Sequence, residues 1–539
     1  MSEAESTEST ESKESSESAP TSSSSPSSLD APLRTGEAGA DPDGEAPPPV
    51  PVTAFEKKIG HPPGLFILFF TEMWERFSFY GMRGLLKGYM MYYLFAVLPQ
   101  KLYRPDDEEG AAIVGQGDTF GVLGWGPIHD ALLWFDPKMD VQGQASLVYG
   151  LYNGLVYLTP VLGGYLADKY FGQRKIVVAG AILMAAGEFL LASEKFFFFA
   201  LLVLIVGNGA FKPNISTQVG NLYREGDPRR DRAYSIFYVG INVGSFICNF
   251  ICGTLASVYG WRWGFFAAGV GLVLGLVGYV AGQRYLASDN MMKSKAAPEK
   301  APEKKDEKAD AKAGAPAEAK KPLTKQERLV VISLCVLCAL NVPFWVVYEQ
   351  QGNTMQTWAD KQTNWPTIGS FHVPTTWFQS FNPFMIMVLT PAVNGLWTYQ
   401  QKRGKEPSTV SKMAIGSLIL GLSFVVMAVG VRVIGENGKG SLFWPFFATL
   451  VITVGELYLS PIGLSLVTKA SPKRLVSLMM GVWFVSSFLG GFASGVLGVF
   501  YKDGHHERFF WIMVAIGVNT ALAMWAFNKP LRKILGTNA

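Results

Sequence analysis

Between residues 64 and 98 the chain carries TEMWERFSFYGMRGLLKGY between two apolar flanks, LFILFF and MMYYLF. At about 100° per residue, Glu72, Glu75, Arg76, Tyr80, Arg83 and Lys87 fall within a helical sector of about 140°, while Met73, Trp74, Phe77 and Met82 mostly take the rest. Acids and bases on one stripe of an apolar helix can exchange protons, hold a charged solute or pair with one another. At membrane depth each ion costs roughly 2.5 to 3.5 kcal/mol on insertion scales, so the stripe must face an aqueous cavity or partner ions. Single ions punctuate other apolar stretches: Glu188, Lys212, Glu349 and Glu456. The first half supplies Arg76, Arg83 and Lys212 against Glu72 and Glu75, and the second supplies Glu349 and Glu456. A cavity between them is expected to be positive on one wall and negative on the other, which suits a zwitterion. Glu188, with neither a proline nor a motif beside it, reads as a structural hydrogen-bonding partner.

The elements that would position these ions are membrane spans. Charged residues make up 17% of the 539, against roughly 25% for soluble chains, and mean hydropathy is +0.20. Two segments hold 33 of the charged residues: an acidic Ser/Glu/Pro-rich tail at 1–60, too poor in apolar side chains to order itself, and a Lys/Ala/Pro/Glu linker at 287–326. Between and after them lie twelve apolar stretches near 64–98, 144–168, 175–194, 196–222, 232–258, 261–286, 327–351, 377–400, 409–434, 442–468, 475–501 and 508–530, each long enough to cross a bilayer. The fold class is thus an all-α membrane protein of two six-helix bundles, 61–286 and 327–539. Basic residues crowd the loops after spans 2, 4, 8 and 10 (Lys169, Arg174, Lys175; Arg224, Arg229, Arg230, Arg232; Lys402, Arg403, Lys405; Lys469, Lys473, Arg474). This predicts cytoplasmic termini and linker, and an external acidic loop at 99–143 with Asp106, Asp107, Glu108 and Glu109.

The two halves repeat one another weakly. Val206, Gly207 and Pro213 in the fourth span have the spacing of Val454, Gly455 and Pro461 in the tenth. Paired Gly and Pro interruptions predict broken helices flanking a midplane binding site. Cys335-x-x-Cys338, like Cys248 and Cys252, lies in an apolar span without nearby His and reads as buried free thiols. The five His sit at span ends or in loops, leaving carboxylates for any proton path. No phosphate-cradling loop, metal-ligand cluster or nucleophile elbow is present, so ATP-driven transport and catalysis lack support, and neither an enzyme nor a cofactor is expected.

Glu72-x-x-Glu75-Arg76-Phe77-x-x-Tyr80-Gly81 resembles the first-helix signature of the proton-dependent oligopeptide transporter family, within the major facilitator superfamily. LVYLTPVLGGYLAD, GNGAFKPNIS, FYVGINVGS, FWVVYEQQG, FNP and GELYLSPIGLS follow in order, and the resemblance spans roughly 60–532. It implies a proton-linked cluster of Glu72, Glu75 and Arg76; Arg83 and Lys212 receiving a peptide carboxylate; and Glu456 with Asn382 and Asn242 holding the amino end. It further implies aromatic side-chain pockets from Tyr80, Tyr157, Tyr238, Trp345 and Trp483, an outer gate between Glu349 and Arg83, and an inner gate between Lys212 and Glu456. GGYLADKYFGQRK, with Gly164, Asp168, Gly172 and Arg174, resembles the superfamily's signature between helices 2 and 3, where Asp168 would cap a helix or pair with Arg in one state. Three departures stand out: Phe79 replaces a frequent Tyr, the linker stands where many bacterial members have two extra helices, and loop 99–143 has no counterpart.

The expected function is import of di- and tripeptides with protons across the cell membrane, with membrane lipid as surroundings and neither nucleic acid nor an obligate protein partner. Nitrate or another small solute on the same scaffold, and a peptide sensor that does not transport, are the alternatives.

Overall fold

The computed structural model describes residues 54–96, 121–224, 227–287 and 323–535; the tail before 54, the acidic run Asp106–Glu109 and most of the linker lie outside them. Twelve long helices fill the described residues. The first half has α1 (Pro63–Tyr89), α2 (Val141–Leu166), α3 (Gln173–Leu191), α4 (Phe197–Asn221), α5 (Arg229–Cys248) and α6 (Trp261–Gly282). The second has α7 (Lys325–Tyr348), α8 (Phe381–Lys402), α9 (Thr409–Ile434), α10 (Phe443–Ala470), α11 (Val476–Gly498) and α12 (His506–Leu535). Nine of the described helical stretches are long and apolar enough to cross a membrane; α1 and α3, which carry buried titratable side chains, and α8, with its polar last turns, complete the set.

Local chemistry sets the ends. Asp140 caps α2 by accepting from the Gly143 amide at 2.7 Å, and Thr324 with Glu327 forms a reciprocal capping box on α7. Gly172 and Gly260, at φ 82° and 98°, turn the chain between α2 and α3 and between α5 and α6, a conformation that a side chain would strain. A π turn extends each of α1, α2 and α5. Beyond the helices, two pairs of two-residue strands form, β1 (Thr363–Asn364) parallel to β4 (Gly440–Ser441) and β2 (Thr367–Ile368) antiparallel to β3 (Phe371–His372).

Two large hydrophobic cores result, one built almost wholly from residues 65–286 and the other from 334–531, with a small third cluster of Ile386, Val393, Leu457 and Tyr458 between α8 and α10. Outside them large apolar side chains stay exposed, among them Val277, Val433, Leu522 and Trp525, as a lipid-facing surface requires.

Three expectations need correcting. The fourth and tenth helices are continuous, with Pro213 and Pro461 inside them. The repeated glycines serve packing instead: a Cβ on Gly207 would stand 2.9 Å from the Gly180 carbonyl oxygen of α3, and one on Gly455 would stand 2.8 Å from that of Gly416 on α9. The same crossing therefore recurs in each half. Second, loop 99–143 contains a helix, Trp125–Phe135, held through Trp125 stacked on Phe198 of α4. Third, Cys335 is exposed, because its position on α7 turns away from the core; the other three cysteines are buried, and all four are free.

Candidate functional site

The α1 stripe is buried as an ionic cluster. Arg76 Nε lies 2.8 Å from Glu72 Oε1 and 3.0 Å from Glu75 Oε2, and Asn208 of α4 donates to Glu75 Oε1 at 3.4 Å. The helix supplies the first pairing through i to i+4 spacing; the partner on α4 comes from packing. Lys212, one turn beyond Asn208, has no carboxylate at ion-pair distance among the described residues, and its ammonium sits 4.6 Å from the ring centre of Tyr157. Tyr157 in turn lies among Arg76, Tyr80, Arg83 and Glu349.

Farther along α1, the stripe crosses to the second half. Arg83 pairs with Glu349 and donates to the Tyr149 hydroxyl at 3.0 Å. Glu349 stands where α7 ends in a short turn, Glu349–Gln351, before a further helix, Thr354–Gln362. Lys87, 2% exposed, donates to Asn353 O at 2.9 Å, Asn353 Oδ1 at 2.6 Å and Thr357 Oγ1 at 2.8 Å. Asn353 also accepts from Ser146 of α2 at 2.8 Å and donates to the Ser494 carbonyl of α11 at 3.3 Å, so one amide ties four helical segments. Beside it α2 and α11 meet through glycines: a Cβ on Gly150 would run into the Gly495 backbone. Helices α5 and α8 close alongside, with Ser380 Oγ donating to the Phe246 carbonyl at 2.7 Å and Trp377 packed on Phe250. These contacts all lie at the end away from the linker.

Toward the linker end the facing surfaces are open. Leu162 and Tyr165 of α2, Tyr238 of α5 and Tyr399 of α8 are exposed. Glu456 Oε2 accepts from Asn382 Nδ2 at 2.9 Å, and Asn382 also reaches Thr453 at 3.0 Å. The expected Lys212–Glu456 pair is not formed, because the halves are apart there.

Other anticipated residues are distributed less neatly. Tyr80 and Tyr238 border the same space, with Trp345 beyond Tyr157 at a ring separation of 6.4 Å. Asn242 donates to the Tyr238 carbonyl of its own helix, so its amide nitrogen does not reach Glu456. Trp483 is 3% exposed and fills the groove left by Gly463 of α10, placing it in the second core rather than in a side-chain pocket. Asp168 ends up half-buried in the π turn after α2, while Arg174 donates to the Ala287 carbonyl at 2.8 Å and to that of Leu286. Asn353, Thr357 and Tyr149 were not legible as partners. A signal existed, since EQQGNTMQT is a polar run directly after an apolar span, and all of it is buried.

This geometry can hold a solute with separated charges, Lys212 and Arg83 on one wall and Glu456 with Asn382 on the other, and it links an ion pair to closure of one end. A sequence model of the POT family matches residues 174–302 and 288–512. The di-/tripeptide transporter of Lactococcus lactis subsp. cremoris is 30% identical over 522 residues, covering 89% of this chain and 97% of its own length. The peptide transporter YePEPT of Yersinia enterocolitica is 32% identical over 82% of this chain and 88% of its own, and the uncharacterized transporter YclF of Bacillus subtilis is 32% identical over 80% and 86%. A crystal structure of peptide transporter POT in complex with sulfate is 29% identical and superposes with a TM-score of 0.71 over 90% of this chain and 97% of that one. With the family model covering more than half of the chain and these relatives nearly all of it, this protein belongs to the POT family, on the major facilitator fold.

Proposed function

We propose that the protein imports di- and tripeptides together with protons across the cell membrane, by rocking of its two six-helix bundles about the cavity, with both termini cytoplasmic. The observation that carries this reading is the Arg83–Glu349 ion pair between the halves, set beside the Glu72–Arg76–Glu75 cluster and an ammonium, Lys212, that pairs with no carboxylate among the described residues. A proton on Glu349 leaves Arg83 buried without its partner, at a cost of ~3 to 5 kcal/mol. That is enough to favour separation of the halves at the closed end. A peptide carboxylate then finds Arg83 and Lys212, and its amino end finds Glu456 and Asn382. Return to the state described here requires Glu349 to release its proton, and each proton moving inward gains ~2.3 kcal/mol per 100 mV. The named relatives support peptides as the solute, and the aromatic walls around Tyr80, Tyr157 and Tyr238 suit varied side chains.

Purified protein in liposomes tests this. An inward proton gradient should drive accumulation of a labelled dipeptide, with collapse of the gradient abolishing it. Binding without accumulation would leave a sensor, and nitrate uptake without peptide uptake would leave the small-solute reading.

A further inference from the structure

Glu188 belongs neither to the α1 cluster nor to the closed end, yet it is 1% exposed on α3. Its Oε1 accepts from Ser78 Oγ at 3.4 Å, and its Oε2 has no partner among the described residues. A small cavity with room for a single water separates it from Glu75, and the lining includes Ser78, Tyr152 and Asn208. Asn208 Oδ1, also buried, lacks a partner as well, while its Nδ2 donates to Glu75 Oε1 at 3.4 Å. With Glu75 Oε2, which is ion-paired to Arg76 but accepts no hydrogen bond among the described residues, three such polar atoms belong to residues lining one water-sized space.

The groups facing Glu188 decide its form. Helix α1 presents Ser78 and Glu75, α2 presents Tyr152, α4 presents Leu204 and Asn208, α5 presents Cys252 and α6 presents Leu272. None is a cation, and the nearby guanidinium of Arg76 is engaged by Glu72 and Glu75. An isolated carboxylate in such a setting is far costlier than a neutral carboxyl group. A neutral carboxyl has an O–H to donate, and Asn208 Oδ1 has a vacancy to accept, with one water spanning them.

We propose that Glu188 is a positioning residue for Glu75: held as the neutral acid, it binds one water in this cavity and, through Asn208, aims the amide that holds the Glu75 carboxylate. The proposal rests on the reading of the α1 cluster as proton-exchanging. Without the relay Asn208 is free to turn, Glu75 loses its amide donor and keeps Arg76 alone, and Glu75 holds its own proton more firmly.

Two measurements test it. In liposomes, Glu188→Gln should keep uptake and its pH profile, since the amide also donates to the water. Glu188→Leu and Asn208→Leu should each lower the proton concentration for half-maximal uptake about fivefold, the size of a modest hydrogen bond, and the double variant should shift it no further. An unchanged profile in both Leu variants, or a Gln variant as shifted as the Leu variant, overturns the proposal. Infrared difference spectra of purified wild-type protein and Glu188→Gln supply a readout independent of transport. A protonated-carboxyl band present only in the wild type and constant across the working pH range is expected. A band that disappears as pH rises within that range overturns the proposal, even if peptide transport stands.

Discussion

Replacing Gly150 by alanine should hold open the end of the protein away from the linker. An alanine Cβ there would meet Gly495 Cα, with Gly495 N at 2.6 Å and the Gly491 carbonyl oxygen at 2.9 Å, where ordinary contact begins at 3.4 Å. These are backbone atoms, so no side chain can swing aside and α11 must retreat by roughly 1 Å, an overpacking cost of ~1 to 3 kcal/mol. The helix-propensity gain of alanine over glycine, about 1 kcal/mol, is the same whether α2 and α11 touch or not, and it cancels. All of the penalty therefore falls on the closed arrangement, and the closed-to-open ratio should drop ~5- to 150-fold. Gly491→Ala, whose Cβ would stand 3.1 Å from Gly154 N, should do less; Gly164→Ala, with Pro213 Cβ at 3.8 Å, should do nothing. The assay is the labelling rate of a single cysteine at Val499, 2% exposed at this seam, by a membrane-impermeant maleimide in a background without the native cysteines. Labelling should rise in the order Gly164→Ala, Gly491→Ala, Gly150→Ala, with peptide accumulation falling in the same order. Equal labelling of the Gly150→Ala and Gly164→Ala proteins would refute the glycine seam as the closing surface.

Glu349→Gln should abolish gradient-driven accumulation while leaving peptide counterflow intact; loss of both would assign Glu349 to binding instead. Lys212→Ala should weaken binding of free peptides by about tenfold, the loss of a hydrogen bond to a charged group, and of C-terminal esters much less; an equal loss for both would move the carboxylate site elsewhere. Near the start of α1, His61 shares a 2.8 Å hydrogen bond with Tyr223, and burial, then Arg229 and Arg232, hold its pKa below the usual 6.5. A depressed folded value means that the stabilisation is present above about 6.5 and is lost as pH falls through the folded value. Hydrogen exchange across residues 54–61 should therefore quicken on acidification, and His61→Gln should remove that dependence; an identical profile in the variant would move the effect to Asp227 and Glu56, both ion-paired with Arg229.

Much of the architecture was legible because hydropathy and charge are local quantities. Twelve spans, the charged stripe on α1 and the lone ions Lys212, Glu349 and Glu456 all register within windows of about 20 residues. The site was legible only where a motif or an i, i+4 spacing carried it, as for Glu72 with Arg76. Trp483 was misplaced because an indole can line a cavity or fill a core, and only the groove at Gly463 chooses between them. The Val-Gly-Pro repeat was visible, but its meaning was not, since a glycine that breaks a helix and one that admits a neighbouring helix look identical in one dimension.

Tertiary structure decided which charges meet. Arg83 and Glu349 are 266 positions apart, as are Lys87 and Asn353, and nothing local to either partner names the other. The α2–α11 seam likewise depends on Gly150 and Gly495 arriving at the same depth. Residue types fix that ions at membrane depth must find water or partners, whereas the crossing of helices determines which of the two each finds: Arg83 a carboxylate, Lys87 three neutral oxygens, and Lys212 an aromatic face beside an open cavity.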